Sequence, residues 1–155
     1  MNIPDQTRPT TAQDLAEIAA IAETTALFPG DMLGSLIAGY IDGGKSDIWL
    51  TALRHERCVG FAFCEPERLT NGTWNLLAIG VAPEWQGRGV GAALMRALEE
   101  TLRAGGHRVL IVDTSGDPAF ARTRSFYLGN GYAEEARIRE FWDVGVDKVT
   151  YWKHL

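Results

Sequence analysis

Apolar positions change period along this chain, and the changes divide it into segments. From Thr11 or Gln13 to Glu23, residues Leu15, Ile18, Ala19 and Ala22 fall on one face of a 3.6-residue repeat, which predicts a helix. Phe28-Pro29-Gly30 breaks it. A second helix from about Asp31 carries Leu33, Leu36, Ile37 and Tyr40 and ends before Gly43-Gly44. Residues 47–54 and 57–65 read as strands, and the two polar residues between them, His55-Glu56, predict a hairpin. Thr73 to Ala82 is a longer apolar run, entered through the turn Thr70-Asn71-Gly72. Pro83 closes it, because proline cannot donate to a sheet ladder. The clearest helix runs from Gly89 to about Arg103, with Val90, Ala93, Leu94, Ala97, Leu98 and Leu102 on one stripe and Gly105-Gly106 as its stop. Arg108 to Asp113 reads as a buried strand and Ala119 to about Leu128 as a helix that stops at Gly129-Asn130-Gly131. Two last strands are expected near 132–141 and 148–154, and a short first one ending at Arg8-Pro9. This order predicts an α/β (α+β) fold, a mixed sheet with helices on its faces.

The length of 155 residues fits one domain, 1–155, with a substantial core. No apolar run approaches ~18 residues, and Met1 to Thr10 lack the layout of a secretion leader, so a cytoplasmic protein without a membrane span is expected. The net charge of −5 mildly disfavours nucleic acid as the main partner and does not exclude a cationic substrate. Cys58 and Cys64 lie on one predicted strand, ~20 Å apart at ~3.3 Å per residue. That is beyond disulfide reach, so two buried free thiols are expected. His55, His107 and His154 have no metal-site spacing, and no metal is expected. Asn71-Gly72-Thr73 reads as a turn.

The distinctive chemistry lies between the third apolar run and the helix after it, in Gln86-Gly87-Arg88-Gly89-Val90-Gly91. A helix start leaves N–H groups unpaired and carries partial positive charge, and glycines let a phosphate approach those donors. Arg88 adds a full charge at the mouth. A nucleotide P-loop would need Gly-Lys-Ser/Thr, which is lacking. A dinucleotide fingerprint would need G-x-G-x-x-G straight after the strand; here the spacing is G-x-G-x-G, four residues past Pro83. By itself the run is equally a glycine-rich helix cap without a ligand.

Gln86-x-x-Gly89-x-Gly91, after Val81-Ala82-Pro83, resembles the Q/R-x-x-G-x-G/A signature with which the GNAT superfamily of N-acetyltransferases holds the pyrophosphate of coenzyme A. Farther on, Ser125-Phe126-Tyr127-Leu128-Gly129-Asn130-Gly131-Tyr132 resembles that family's F-Y-x-x-x-G-F/Y segment. The likeness spans roughly residues 8 to 154. It implies a mostly antiparallel sheet of six to seven strands flanked by about four helices, with acetyl-CoA as co-substrate. It also implies direct transfer to an amine in a ternary complex, so neither cysteine needs a catalytic role. The cofactor-binding set is then Ile79, Val81, Gln86, Gly87, Arg88, Gly89, Val90, Gly91, Ser115 and Tyr127. Ile79 and Val81 would pair the pantetheine arm like an added strand, with a bulge expected at Gly80, and the N–H of Val81 would polarise the thioester. Tyr127 matches the proton donor to the leaving thiolate, although as a residue type it could be a packed aromatic.

The base is less defined. At the strand position where the family often has a carboxylate or His, this chain has Asn75, which can orient a water but cannot usefully take a proton. Glu65 at a strand end is the alternative base, or an ordinary strand-end charge, and deprotonation through water is a third route. The family's Asn seven residues before the Tyr is replaced by Phe120. Leu27, Phe28, Asp31, Met32, Glu140, Phe141, Trp142 and Asp143 fall on the acceptor side. Aromatics beside carboxylates suit a small-molecule cationic amine, and equally a solvated loop with apolar anchors. The expected acceptor is a primary amine of a small molecule or amino-acid-like metabolite. A protein N-terminus or lysine, and a non-catalytic acyl-CoA sensor, are the alternatives. A homodimer through the last strands is compatible with the apolar residues near Phe141.

Overall fold

A computed structural model of the chain describes residues 5–155; residues 1–4, which begin both the expected domain and the stretch read for a leader, lie outside the described residues. The chain runs β1 (Gln6–Pro9), α1 (Leu15–Thr24), α2 (Leu33–Ile41), β2 (Ile48–Arg54), β3 (Arg57–Pro66), β4 (Thr73–Val81), α3 (Val90–Ala104), β5 (Val109–Ser115), α4 (Ala121–Gly129), β6 (Ala133–Asp143) and β7 (Val146–His154). The strands form one seven-stranded sheet in the order β1-β2-β3-β4-β5-β7-β6. All neighbours are antiparallel except β4 and β5. The parallel pair follows from α3, which carries the chain back to the start of the sheet before β5 begins. The expected elements are all present. Each helix opens with a short 3-10 turn except α3, which starts on a left-handed glycine.

Two apolar layers sandwich the sheet. On one face Leu94, Met95, Leu98 and Leu102 of α3 pack on Leu50, Ala62, Leu76, Leu110 and Val112. Leu94, Leu98 and Leu102 have no exposed surface, and each contributes about 1.5–3 kcal/mol of apolar burial. On the other face Ile18, Ile21 and Ala22 of α1 and Leu33 and Ile37 of α2 cover Trp49, Phe61, Phe63 and Ala78. The Trp49 ring stacks on Phe63 at 4.1 Å between centroids. Cys58 belongs to the α1–α2 layer and Cys64 to the α3 layer, so the sheet itself separates the two free thiols. That adds a second reason to the distance argument. The face changes because of a bulge in β3, where Ala52 pairs with Gly60 but Leu53 pairs with Cys58.

A polar staple crosses the α3 layer. Glu99 is 4% exposed, and its carboxylate accepts from the Tyr132 hydroxyl at 2.8 Å and from Lys153 Nζ at 2.9 Å. Lys153 also donates to the Asn130 carbonyl. The turn after α4 is thereby tied to α3 and β7. Asn71-Gly72 forms the expected turn, with Gly72 at φ +85° and its carbonyl accepting from Arg108 N. Among the described residues no helix is long and apolar enough to cross a membrane.

Candidate active site

The sheet has a seam. β4 and β5 pair only from Thr73–Leu76 to Val109–Val112; past Leu76 both strands continue, but apart. A wedge therefore opens between residues 77–81 and 113–115. Inside it, β4 changes phase. Leu76 pairs with Cys64 and Ala78 with Phe63, so Leu77 is the extra residue of a bulge and stands 47% exposed. The expected bulge at Gly80 is not formed, because Gly80 pairs in register with Phe61. Gly80 instead answers to close packing: a Cβ there would meet Phe61 Cε1 at 2.8 Å and Leu27 Cδ1 at 2.9 Å.

The phase change decides which backbone groups face the wedge. Ala82 N–H donates to Val59 on β3. By strand alternation Ile79 and Val81 aim their N–H and C=O groups the other way, at the edge that β5 has left. Gln86 confirms this direction, since its Nε2 donates to the Val81 carbonyl at 3.1 Å. The side chain of Gln86 thus pins the glycine-rich turn to the end of β4.

The turn itself is built around two left-handed glycines, Gly87 at φ +73° and Gly89 at φ +85°. Gly89 is the N-cap of α3, and its carbonyl accepts from Ala93 N–H at 3.0 Å. Among the described residues, no acceptor pairs the N–H groups of residues 87–92. These donors converge at the positive end of a 15-residue helix, an arrangement fit for a pyrophosphate. Val90 can offer only its backbone, because its side chain is buried in the α3 layer. Arg88 is exposed and its guanidinium lies 5.1 Å from the Trp85 ring centroid. Gly91 has a different role from its neighbours. A Cβ on it would meet the Phe126 ring at 3.0 and 3.1 Å, so Gly91 lets α4 approach α3.

That approach brings in Tyr127. It is 4% exposed, with its ring against Phe126, Tyr132 and Tyr151. Its hydroxyl finds no hydrogen-bond partner among the described residues, and burial pushes the phenol above its ordinary range. The group holds its proton throughout the physiological range. Ser115 closes β5, where its Oγ accepts from Asp117 N–H at 3.0 Å. Arg124 fixes the same loop by donating to the Ser115 and Asp117 carbonyls at 2.7 and 2.8 Å. Nothing in the sequence singled out Arg124; an arginine one turn into a helix has no motif that marks it as a loop clamp.

Glu65 and Asn75 face each other across β3 and β4, one rung before the bulge. Because Cys64 and Leu76 belong to the α3 layer, these two neighbours project from the opposite face. Asn75 Nδ2 donates to Glu67 at 3.2 Å, while Asn75 Oδ1 is buried without a partner. On that face two apolar arms flank the wedge. From the β4 side, Leu27 reaches over Gly80, and Phe28 packs edge-on against Phe61. From the β5 side, Trp142 Nε1 donates to the Thr114 carbonyl at 3.3 Å and Phe141 lies under Lys148 Nζ at 4.1 Å. Asp113 is held between Thr150, whose Oγ1 donates at 2.6 Å, and Lys148 at 3.8 Å. Among the described residues no group of three or more His, Cys, Asp or Glu is placed to hold a metal.

A profile of the acetyltransferase (GNAT) family matches residues 15–132. Among solved structures, a protein from Desulfovibrio desulfuricans assigned to the GNAT acetyltransferases is 29% identical. It superposes with a TM-score of 0.89 over 96% of this chain and 98% of that one. An aminoglycoside 6'-N-acetyltransferase complexed with coenzyme A is 14% identical, with a TM-score of 0.81 over 96% of each chain. A ribosomal-protein-alanine N-acetyltransferase from Brucella melitensis is 22% identical, with a TM-score of 0.78 over 97% of this chain and 99% of that one. The last two likenesses concern the fold alone. A comparison with curated protein sequences finds no significant match.

Proposed function

Given that the chain belongs to the acetyltransferase (GNAT) family, we propose that it moves the acetyl group of acetyl-CoA directly to a primary amine of a small molecule or amino-acid-like metabolite. The observation that carries this reading is the continuity of two donor sets. Unpaired N–H groups of residues 87–92 adjoin the wedge toward which Ile79 and Val81 turn theirs. The first set suits a pyrophosphate and the second an extended amide-bearing arm.

Bound acetyl-CoA supplies an electrophilic thioester carbonyl. The Val81 N–H is the donor we assign to its oxygen, where preorganised hydrogen bonds have their largest effect on rate. Backbone N–H groups of Gly87, Arg88, Gly89, Val90 and Gly91 take the diphosphate, while Gln86, whose own N–H is bonded to the Pro83 carbonyl, holds the turn through its side chain. The Ser115 hydroxyl keeps its proton available at the wall of the wedge. The amine nitrogen forms the new N–C bond as C–S breaks, and the Tyr127 hydroxyl donates its proton to the departing sulfur. The proton lost by the amine passes to Glu65 or to water. Asn75, held by Glu67, positions that side of the site and takes no proton. The arms carrying Leu27 and Phe28 and carrying Phe141 and Trp142 offer apolar and aromatic contact to a small organic cation. A homodimer through β6 fits a strand whose eleven residues are all exposed.

The test is release of free thiol from acetyl-CoA against a panel of amines. Turnover on small primary amines supports the proposal. Turnover confined to peptides would transfer it to a protein acceptor, and absence of amine-dependent release from every candidate would refute it.

A further inference from the structure

We propose that Phe120 is a cofactor-holding residue, whose ring packs against the dimethyl-bearing carbon of the pantetheine arm at the mouth of the wedge. The inference rests on the reading of the wedge as the coenzyme A site. It adds an apolar contact on the α4 side, across from the backbone donors that open α3.

The place of the ring follows from α4. Residues i, i+4 and i+7 of a helix share one face, which puts Phe120, Arg124 and Tyr127 on a single stripe. Tyr127 is the residue assigned to the departing sulfur. Arg124 reaches the wall of the wedge, where it donates to the Ser115 carbonyl at 2.7 Å. That carbonyl faces the wedge, because Gly116 N–H bonds the Asp147 carbonyl of β7 and strand alternation turns Ser115 the other way. Phe120, the N-cap of α4, is the outermost member of the stripe.

Phe120 is fixed and yet uncovered. Its N–H donates to the Asp117 carbonyl at 2.9 Å, and Asp117 Oδ1 accepts from Ala119 N–H at 2.8 Å. The residue nonetheless stands 45% exposed, whereas Phe126 and Tyr127 of the same helix pack into the α3 layer. A lone exposed ring is ordinary on a protein surface. One held rigidly at the mouth of a ligand wedge, in line with the group that meets the sulfur, is placed for the ligand.

Depth selects what it meets. Seven residues of helix set Phe120 ~10 Å outward from Tyr127. An extended chain advances ~1.2 Å per bond. In the pantetheine arm the outer amide carbonyl lies about eight bonds from the sulfur and the dimethyl carbon about ten, hence ~10 and ~12 Å. Both come level with Phe120. The inner amide falls short of it, and the adenine lies beyond. A phenyl ring gives an amide no conventional hydrogen bond, and the dimethyl group is the apolar neighbour of the two.

Calorimetric titration of the whole chain with coenzyme A and with 4'-phosphopantetheine tests this. The second molecule keeps the dimethyl group and lacks the adenosine. Phe120→Ala should weaken both by the same factor, about tenfold, the loss expected for two methyl groups left in water. Phe120→Leu, apolar but not aromatic, should hold both close to the affinity of the unaltered chain. Unchanged affinities in Phe120→Ala would overturn the proposal, as would a loss in Phe120→Leu equal to that in Phe120→Ala. So would a loss confined to coenzyme A, which would put the ring on the adenine. These outcomes leave the reading of the wedge standing. Failure of the unaltered chain to bind either molecule would overturn that reading and the proposal with it.

Discussion

Replacing Tyr127 by Phe separates what the hydroxyl does for the fold from what it does for the reaction. The ring stays, with its contacts to Phe126, Tyr132 and Tyr151, and only an oxygen is lost. That oxygen sits on a residue 4% exposed and has no hydrogen-bond partner among the described residues. The oxygen itself still meets solvent, so its desolvation cost lies below the ~1–3 kcal/mol of a fully buried unsatisfied hydroxyl. Part of that is returned on removal, offset by lost dispersion contacts, so Tyr127→Phe should be neutral to about 1 kcal/mol more stable. For a chain of this length the gain is a rise of about 2–4 °C in Tm. Activity moves the other way. A reference phenol at ~10 already gives its proton uphill to a thiolate at ~8.5, by about 2 kcal/mol, and burial makes the step steeper. The phenol therefore first donates a hydrogen bond as charge builds on sulfur and gives up its proton only as the sulfur departs, and its loss should lower kcat about 10²-fold, at the lower end of acid catalysis. The KM for acetyl-CoA should stay within about twofold, and the loss should be flat across the assay pH range, because the group does not titrate there. Thermal denaturation and steady-state thiol release measure both. An unchanged kcat, or a fall in Tm that parallels the fall in rate, would refute the reasoning.

Two glycines of the turn should both lose stability to alanine, for different reasons. Gly87→Ala meets nothing within 4 Å and should cost about 1–2 kcal/mol of left-handed backbone strain, read by denaturant unfolding with the cooperativity unchanged. Gly91→Ala drives a methyl into Phe126; the overpacking, about 1–3 kcal/mol, exceeds the ~1 kcal/mol of helix propensity gained, so the variant should lose stability and raise the KM for acetyl-CoA. Cys58, pushed up to about 12 by burial, and Cys64, shifted the same way, should not react with a thiol reagent until the protein unfolds, and the double serine variant should keep acetyl transfer. Both thiols hold their protons more tightly folded than unfolded. Their contribution to stability is therefore complete below about pH 8.5 and is lost as pH rises toward 12, which urea midpoints across that range would record.

Periodicity sufficed for the order of elements because each change of period coincides with a glycine or proline stop, as at Pro83 and Gly105-Gly106. It could not reveal the Leu77 bulge. An apolar residue in an apolar strand carries no mark of being unpaired, and the glycine three positions on drew the expectation instead. Gly91 was legible as part of a motif, but its contact with Phe126 joins residues 35 positions apart and exists only once α3 and α4 are packed. The same holds for Asn75. The chain shows an amide where a carboxylate was expected, and only the fold shows that Glu67 holds one end of it. The arms carrying Phe28 and Trp142 could be assigned to the acceptor side, yet their anchoring to Phe61 and to the Thr114 carbonyl depends on backbone positions no side-chain pattern encodes.

The four-rung seam between β4 and β5 has a mechanical consequence. Strands β1 to β4 form one antiparallel block, in which α1 and α2 join β1 to β2, and β5, β7 and β6 form another. Residues 72–76 and 108–112 stitch the two blocks by backbone bonds, with α3 bridging above. A load applied across the sheet would concentrate on that short parallel ladder, and the Ile79 and Val81 amides, turned to the edge that β5 has left, have no strand to shield them from exchange with solvent. An extended molecule seated in the wedge would lengthen the stitch. Hydrogen exchange at Ile79 and Val81 would then slow on binding, while the interiors of both blocks kept their rates.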